Sequence, residues 1–139
     1  MKFDSFPARS QGLINTVRGI PYNAQKRRCF IPLSYLVENK LSQQDLFNGN
    51  FGSDPCRHVV YQLCNRAFFH FEKSIQLFEK EKTPQKSLFL PLIVIHDFLT
   101  RIKKIDFDLT NKFVQERNPW LVWNLWRHKY PTSKNLSAF

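Results

Sequence analysis

The sequence predicts an all-α fold, and three observations carry that expectation. Apolar residues recur at three- and four-residue spacing, glycine is scarce, and large aromatic side chains are abundant. The 139 residues hold four Gly against 14 Phe, four Tyr and three Trp, a composition suited to bulky side chains packed between helices. Hydrophobic residues make up 42%, which excludes a disordered chain and a disulfide-stapled miniprotein and suits one core.

Each element has a local reason. Ser10 can cap a first helix in which Leu13, Ile14 and Val17 recur at helical spacing; Gly19 weakens it, and Pro21, without an N–H to donate, ends or kinks it near Ile20. The polar stretch 23–28 reads as an exposed loop that re-enters the core at Phe30 and Ile31. Leu33 to Glu38 reads as one or two helical turns. A second short helix follows in 42–47, with Ser42 as cap and Asp45 three residues on as a capping-box variant. The segment 48–53 holds two of the four glycines and reads as a surface turn.

Asp54-Pro55 opens the strongest helix, because Asp is a favoured N-cap and Pro fits the first helical position. Val60, Leu63, Cys64, Ala67, Phe71, Ile75 and Phe78 step by three or four to about Lys80. A polar linker with Pro84 spans 82–86, and another helix runs from about Ser87 to Lys104, its first half apolar on every side and so expected to be buried between neighbours. Two shorter helices are expected after it, over 108–115 and, behind an Asn118 cap, over 119–128.

Composition excludes several functions. Cys29, Cys56 and Cys64 form no C-x-x-C pair, and their odd number cannot close into a complete intramolecular set; they read as idle thiols in a reducing compartment. His58, His70, His96 and His128 are too widely spaced to share adjacent helical turns as zinc ligands do, so no metal is expected. The longest apolar run, 88–95, falls short of the about 20 residues a bilayer span needs. The first nine residues carry neither a secretory apolar region nor a convincing transit peptide. The formal charge of +10 admits nucleic acid, an anionic membrane or an acidic partner, but no RNA-recognition, zinc-finger or helix-turn-helix signature supports nucleic acid.

From Gln11 the chain reads Q-G-L-I-N-T-V-R-G-I-P-Y-N-A-Q-K-R-R-C-F-I-P-L, then L-S-Q-Q-D-L-F. This resembles the squalene/phytoene synthase family, whose second acidic motif has the form N-I-x-R-D-x-x-E-D and precedes a basic loop and an aromatic-apolar-Pro step. The resemblance runs from about Gln11 to Tyr130 and covers the C-terminal half of the family's domain. It implies an isoprenoid-synthase-like helical bundle in 11–130, with 1–10 as an extension and 131–139 as a flexible tail; a half domain of this kind is expected to be a fragment, an isoform or an obligate partner of something else. Asn15 and Arg18 match the motif, whereas Gly19, Tyr22 and Asn23 stand where the family has carboxylates. Those acids hold Mg²⁺ against a prenyl diphosphate, a task for hard anionic oxygen ligands. Their loss leaves a degenerate diphosphate and metal motif with no catalytic residue, no cofactor and no metal, and contributes part of the +10.

Within the family, Arg18-Gly19-Ile20-Pro21-Tyr22, Arg27-Arg28, Phe30-Ile31-Pro32, Ser42-Gln43-Gln44-Asp45, the 98–108 run and the closing 126–130 segment resemble a branch that serves assembly of mitochondrial complex I. That resemblance implies a non-enzymatic protein on the matrix side of the inner mitochondrial membrane, with complex I subunits or other assembly factors and anionic inner-membrane lipid as partners. The competing implication is a prenyltransferase-like protein that still binds or condenses isoprenoid diphosphates.

Three surfaces admit a sharper and a plainer reading. Lys26, Arg27 and Arg28 suit an anion or lipid headgroup, or form a solvated loop. Trp120, Trp123 and Trp126, three apart and beside basic residues, suit a membrane interface, or pack back onto the core. Phe68, Phe69 and Phe71 around His70 suit a residual prenyl or quinone cavity, though core packing is the expected role.

Overall fold

A computed structural model describes residues 5–80, 89–114, 116, 119 and 123. Five helices appear in chain order: α1 (Ser5–Gln25), α2 (Leu33–Glu38), α3 (Gln43–Phe47), α4 (Asp54–Lys80) and α5 (Phe89–Lys104), followed by a 3₁₀ turn at Lys112–Val114. No strand occurs among the described residues. The fold class and the bounds of α2 and α4 agree with the sequence expectation.

The long helix α4 is the centre of the fold. Its expected stripe is buried without exception, with Val59 and Cys56 extending it toward the N-terminus. Against it α1 turns Ile14, Val17, Ile20 and Ala24, and α5 turns Leu92, Ile95, Leu99 and Ile102. Leu36 and Leu46 close one end of this core from the short helices. The expectation for α5 is corrected in one respect: Pro91 is exposed and Ile93 and Val94 are half-buried, so the helix buries one side rather than all of its circumference.

Two further corrections concern α1. It begins at Ser5, so Ser10 lies in its interior, where the hydroxyl donates to the Ala67 carbonyl at 2.8 Å. It also runs through Pro21 to Gln25, so of the two outcomes expected at Pro21, an end or a kink, the end near Ile20 is overturned. Proline removes the bond that would reach the Val17 carbonyl, yet Val17, Ile20, Pro21 and Ala24 are all buried on the face that meets the core, and that burial outweighs the local penalty.

Helix ends follow one device. In α1, α2, α3 and α5 a residue of positive φ closes the C-terminus: Arg27 (54°), Lys40 (54°), Gly49 (82°) and Asp106 (54°). In each, the next amide reaches back to an orphan carbonyl, as in Arg28 to Asn23 at 2.9 Å, Leu41 to Leu36 at 2.9 Å, Asn50 to Asp45 at 3.1 Å and Phe107 to Ile102 at 3.0 Å. This is the Schellman arrangement, in which glycine is the usual left-handed residue. Three of these four ends use a charged residue instead.

At the start of α3 the capping box forms as expected, with Asp45 N donating to Ser42 Oγ at 3.1 Å and Ser42 N donating to Asp45 Oδ2 at 3.1 Å. The helix expected over 108–115 does not form. Asp106 and Phe107 both take positive φ, and the Asp108 carboxylate accepts from the Thr110 amide at 2.9 Å and hydroxyl at 2.6 Å. A short polar side chain bound to its own following backbone competes with helix, leaving only the 3₁₀ turn. Arg57 of α4 holds the corner through Asp106 and Asp108, each at 3.3 Å. The linker at 82–86, most of the helix expected over 119–128 and the tail at 131–139 lie outside the described residues.

Candidate functional site

Continuity of α1 through Pro21 has a direct consequence for the motif. Asn15, Arg18, Gly19, Tyr22 and Asn23 are spaced three and four apart, so an unbroken helix sets them in one stripe, with Lys26 one residue beyond its end. The buried positions 14, 17, 20, 21 and 24 occupy the other side. An interrupted helix would have split the motif at Pro21; the structure brings its residues together.

Local contacts order the stripe. Gln11 Nε2 donates to Asn15 Oδ1 at 3.0 Å, and Lys26 donates to the Tyr22 hydroxyl while its ammonium lies 4.3 Å from that ring's centroid. Arg18 lies over the Phe98 ring of α5 at 6.0 Å. Gly19 leaves room for Asn23, whose Nδ2 lies 2.9 Å from where a Cβ on Gly19 would stand. Asn15, Arg18 and Tyr22 are exposed and Asn23 is half-buried.

The chain then turns at Arg27, and a small cleft opens at this end of α1, lined by Thr16, Ile20, Asn23, Arg28 and Phe30. Chemically the face offers amides, a guanidinium, a phenol and an ammonium, and no carboxylate. It suits an anion through charge-assisted hydrogen bonds and lacks the anionic oxygens that hold Mg²⁺. Among the described residues no group of three or more His, Cys, Asp or Glu is placed to hold a metal ion.

The other candidates distribute differently. Trp123 is 50% exposed; Trp120 and Trp126 lie outside the described residues, so the tryptophan stripe cannot be followed as a surface. Phe71 is fully buried, Phe68 packs at the core's edge and Phe69 is exposed, which matches core packing only in part. Burial pushes the Cys56 thiol up to about 11, with the Asp108 carboxylate adding to the effect, and burial alone pushes Cys64 to about 12. Neither is a thiolate nucleophile near neutral pH.

The loop after α1 holds the feature that sequence reasoning missed. Ile31 re-enters the core as expected, but Phe30 does not and is 64% exposed. On α2, Leu33 and Val37 stand 68% and 69% exposed while Leu36 is buried. The signal was present in the four-residue spacing of Leu33 and Val37, which places both on one face of a helix too short to bury more than one side.

This is an all-helical domain whose recognisable motif sits on the outer face of one long helix. Residues 8–127 match the squalene/phytoene synthase family, and the chain belongs to that family. It is 27% identical over 126 residues to the Rattus norvegicus protein named NADH dehydrogenase (ubiquinone) complex I, assembly factor 6, covering 88% of this chain and 38% of that relative. The Homo sapiens protein of the same name is 26% identical over 126 residues, with the same coverage. The assembly factor 6 homolog of Dictyostelium discoideum is 26% identical over 119 residues, covering 86% of this chain and 33% of the relative. The chain thus spans less than two fifths of the length of these curated relatives. No solved structure matches it.

Proposed function

We propose that this chain is part of a non-catalytic assembly factor for mitochondrial respiratory complex I, acting at the matrix face of the inner membrane. The observation that carries the reading is its similarity, over 88% of its length, to relatives named for that assembly. Residues 11–130 then correspond to the C-terminal half of the family's domain. The α1 stripe supports the loss of catalysis: Gly19, Tyr22 and Asn23 supply none of the carboxylates that a diphosphate-bound Mg²⁺ requires. The basic excess is read as serving anionic lipid, with complex I subunits or other assembly factors as protein partners and no nucleic acid.

Affinity capture of the tagged chain from mitochondria, with complex I measured after its removal, tests the proposal. Recovery of complex I subunits or assembly factors and a fall in assembled complex are expected. Capture of neither, with normal complex I levels, overturns it.

A second reading rests on the donors of the same stripe. Asn23, Lys26 and Arg28 lie at the C-terminal end of α1, with Arg18 about two turns before it, and suit a diphosphate bound without turnover. Incubation with farnesyl or geranylgeranyl diphosphate and Mg²⁺ separates the readings. Binding without product favours the second, and magnesium-dependent product refutes the non-catalytic assignment altogether.

A further inference from the structure

We propose that the segment 26–40 is a membrane-docking surface, in which Phe30, Leu33 and Val37 insert into an anionic bilayer and Lys26, Arg27, Arg28 and Lys40 hold its phosphates. The inference rests on the membrane part of the reading above and is independent of the complex I part. Among the described residues these are the three most exposed large apolar side chains, at 64%, 68% and 69%, and they fall within eight consecutive positions. Their apolar neighbours Ile31 and Leu36, and Leu41 just past the segment, face the core instead, buried at 6%, 2% and 6%.

The wedge is held in place. Arg66 of α4 donates to the Tyr35 hydroxyl at 3.1 Å, and Asn39 donates to the Gln62 side chain of α4 at 2.8 Å. The apolar side chains therefore stand on a fixed platform, and docking need not order them first.

The flanking charges point to the occupant. Arg27 closes α1 ahead of the wedge and Lys40 closes α2, the helix that carries Leu33 and Val37, both with φ of 54°, where glycine is the favoured residue. Long cationic side chains thus bracket the apolar ones at positions where the backbone is indifferent to charge and averse to a Cβ. Four basic residues lie between 25 and 41, against one acid, Glu38, whose carboxylate accepts from Gln62 at 3.4 Å. A protein groove would have to desolvate these cations against acids fixed to match them, and three apolar side chains fall well short of the roughly 800 Å² per partner of a standard protein interface. A bilayer surface supplies mobile phosphates wherever the cations reach and accepts a small apolar insertion.

Cosedimentation of the full chain with phosphatidylcholine vesicles, with and without phosphatidylglycerol, tests the surface. Binding is expected only with the anionic lipid and should fall about fivefold for each of Arg27→Gln and Arg28→Gln, the equivalent of about 1 kcal/mol per cation. Combined Phe30→Ser, Leu33→Ser and Val37→Ser should reduce it at least about tenfold, with an unchanged helical circular dichroism signal. Should that triple variant fold poorly, Phe30→Trp provides the check, because its added emission should be quenched by brominated acyl chains.

Equal binding to neutral vesicles, unchanged binding by the serine variant, or no quenching at position 30 overturns the surface. A serine variant that shifts the chain from dimer to monomer overturns it in favour of a protein interface. Vesicle binding without capture of complex I components would leave the surface standing and remove the assembly reading; the converse would remove only the surface.

Discussion

Ser10 Oγ donates to the Ala67 carbonyl across 2.8 Å, with both residues fully buried where α1 meets α4. The two positions are 57 residues apart, so this bond is a direct tie between the helices that form the core. The desolvation of the buried Ser10 hydroxyl is offset by this bond, which satisfies its donor.

Replacing Ser10 by Ala should therefore destabilise the domain by about 1 kcal/mol, since the Ala67 carbonyl keeps a lone pair for its own helix. Ser10→Val adds methyl groups to a packed contact and should cost about 1–3 kcal/mol. Urea unfolding followed by circular dichroism measures both. Equal stability of the wild type and both variants would show that the helices meet elsewhere.

The same residue shows where sequence reasoning reached its limit. The spacing in α4 and the capping box of α3 are local patterns, and Leu33–Glu38, Ser42 with Asp45 and Asp54-Pro55 can be read from neighbours alone. Ser10 as a cap and a helix end at Pro21 are also sound local inferences, and both fail because α1 is stabilised by what it packs against; the kink that Pro21 also suggests is compatible with the continuous helix. The motif was legible as a list of residues. Its arrangement was not, since a stripe from Asn15 to Asn23 exists only if the helix passes through Pro21. Phe30 was assigned to the core for its chemistry, whereas the inward turn of Ile31 sends its neighbour outward.

The Schellman ends make a second prediction. Lys40 holds a left-handed backbone that costs a residue with a Cβ about 1 kcal/mol relative to glycine. Lys40→Gly should raise stability by about that amount while weakening attachment to anionic vesicles. Gly49, at φ 82°, should show the opposite: Gly49→Ala should cost about 1 kcal/mol. Thermal denaturation of the two variants should move the melting temperature in opposite directions.

Gly19 has no such backbone requirement. It lies inside α1, and the nearest atom to an added Cβ is the end of the Asn23 side chain at 2.9 Å, which can rotate away. Alanine is favoured over glycine in a helix interior by about 1 kcal/mol, so Gly19→Ala should stabilise the chain by about 0.5 kcal/mol after Asn23 has moved. If diphosphate binding depends on Asn23 in its present position, the same variant should weaken it. Denaturation and ligand titration on one protein sample separate the two effects.

The corner after α5 sets an acid limit on stability. The Thr110 hydroxyl above all, with the Thr110 amide and the Arg57 guanidinium adding to it, holds the Asp108 carboxyl below its ordinary value, against an opposing effect of burial second only to the hydroxyl's. A lowered folded value means that the ionised form is bound more strongly in the native state. Its stabilisation is complete above the unfolded value near about 4 and is lost as pH falls through the folded value. Asp108→Asn removes the charge that faces Arg57, so the variant should melt at a lower temperature than the wild type at pH 7. The two melting curves should converge as the pH is taken below the carboxylate range, because protonation brings the wild type to the same neutral state. A difference that stays constant into acid would assign the effect of the substitution to lost hydrogen-bond geometry at Thr110 rather than to the ion pair with Arg57.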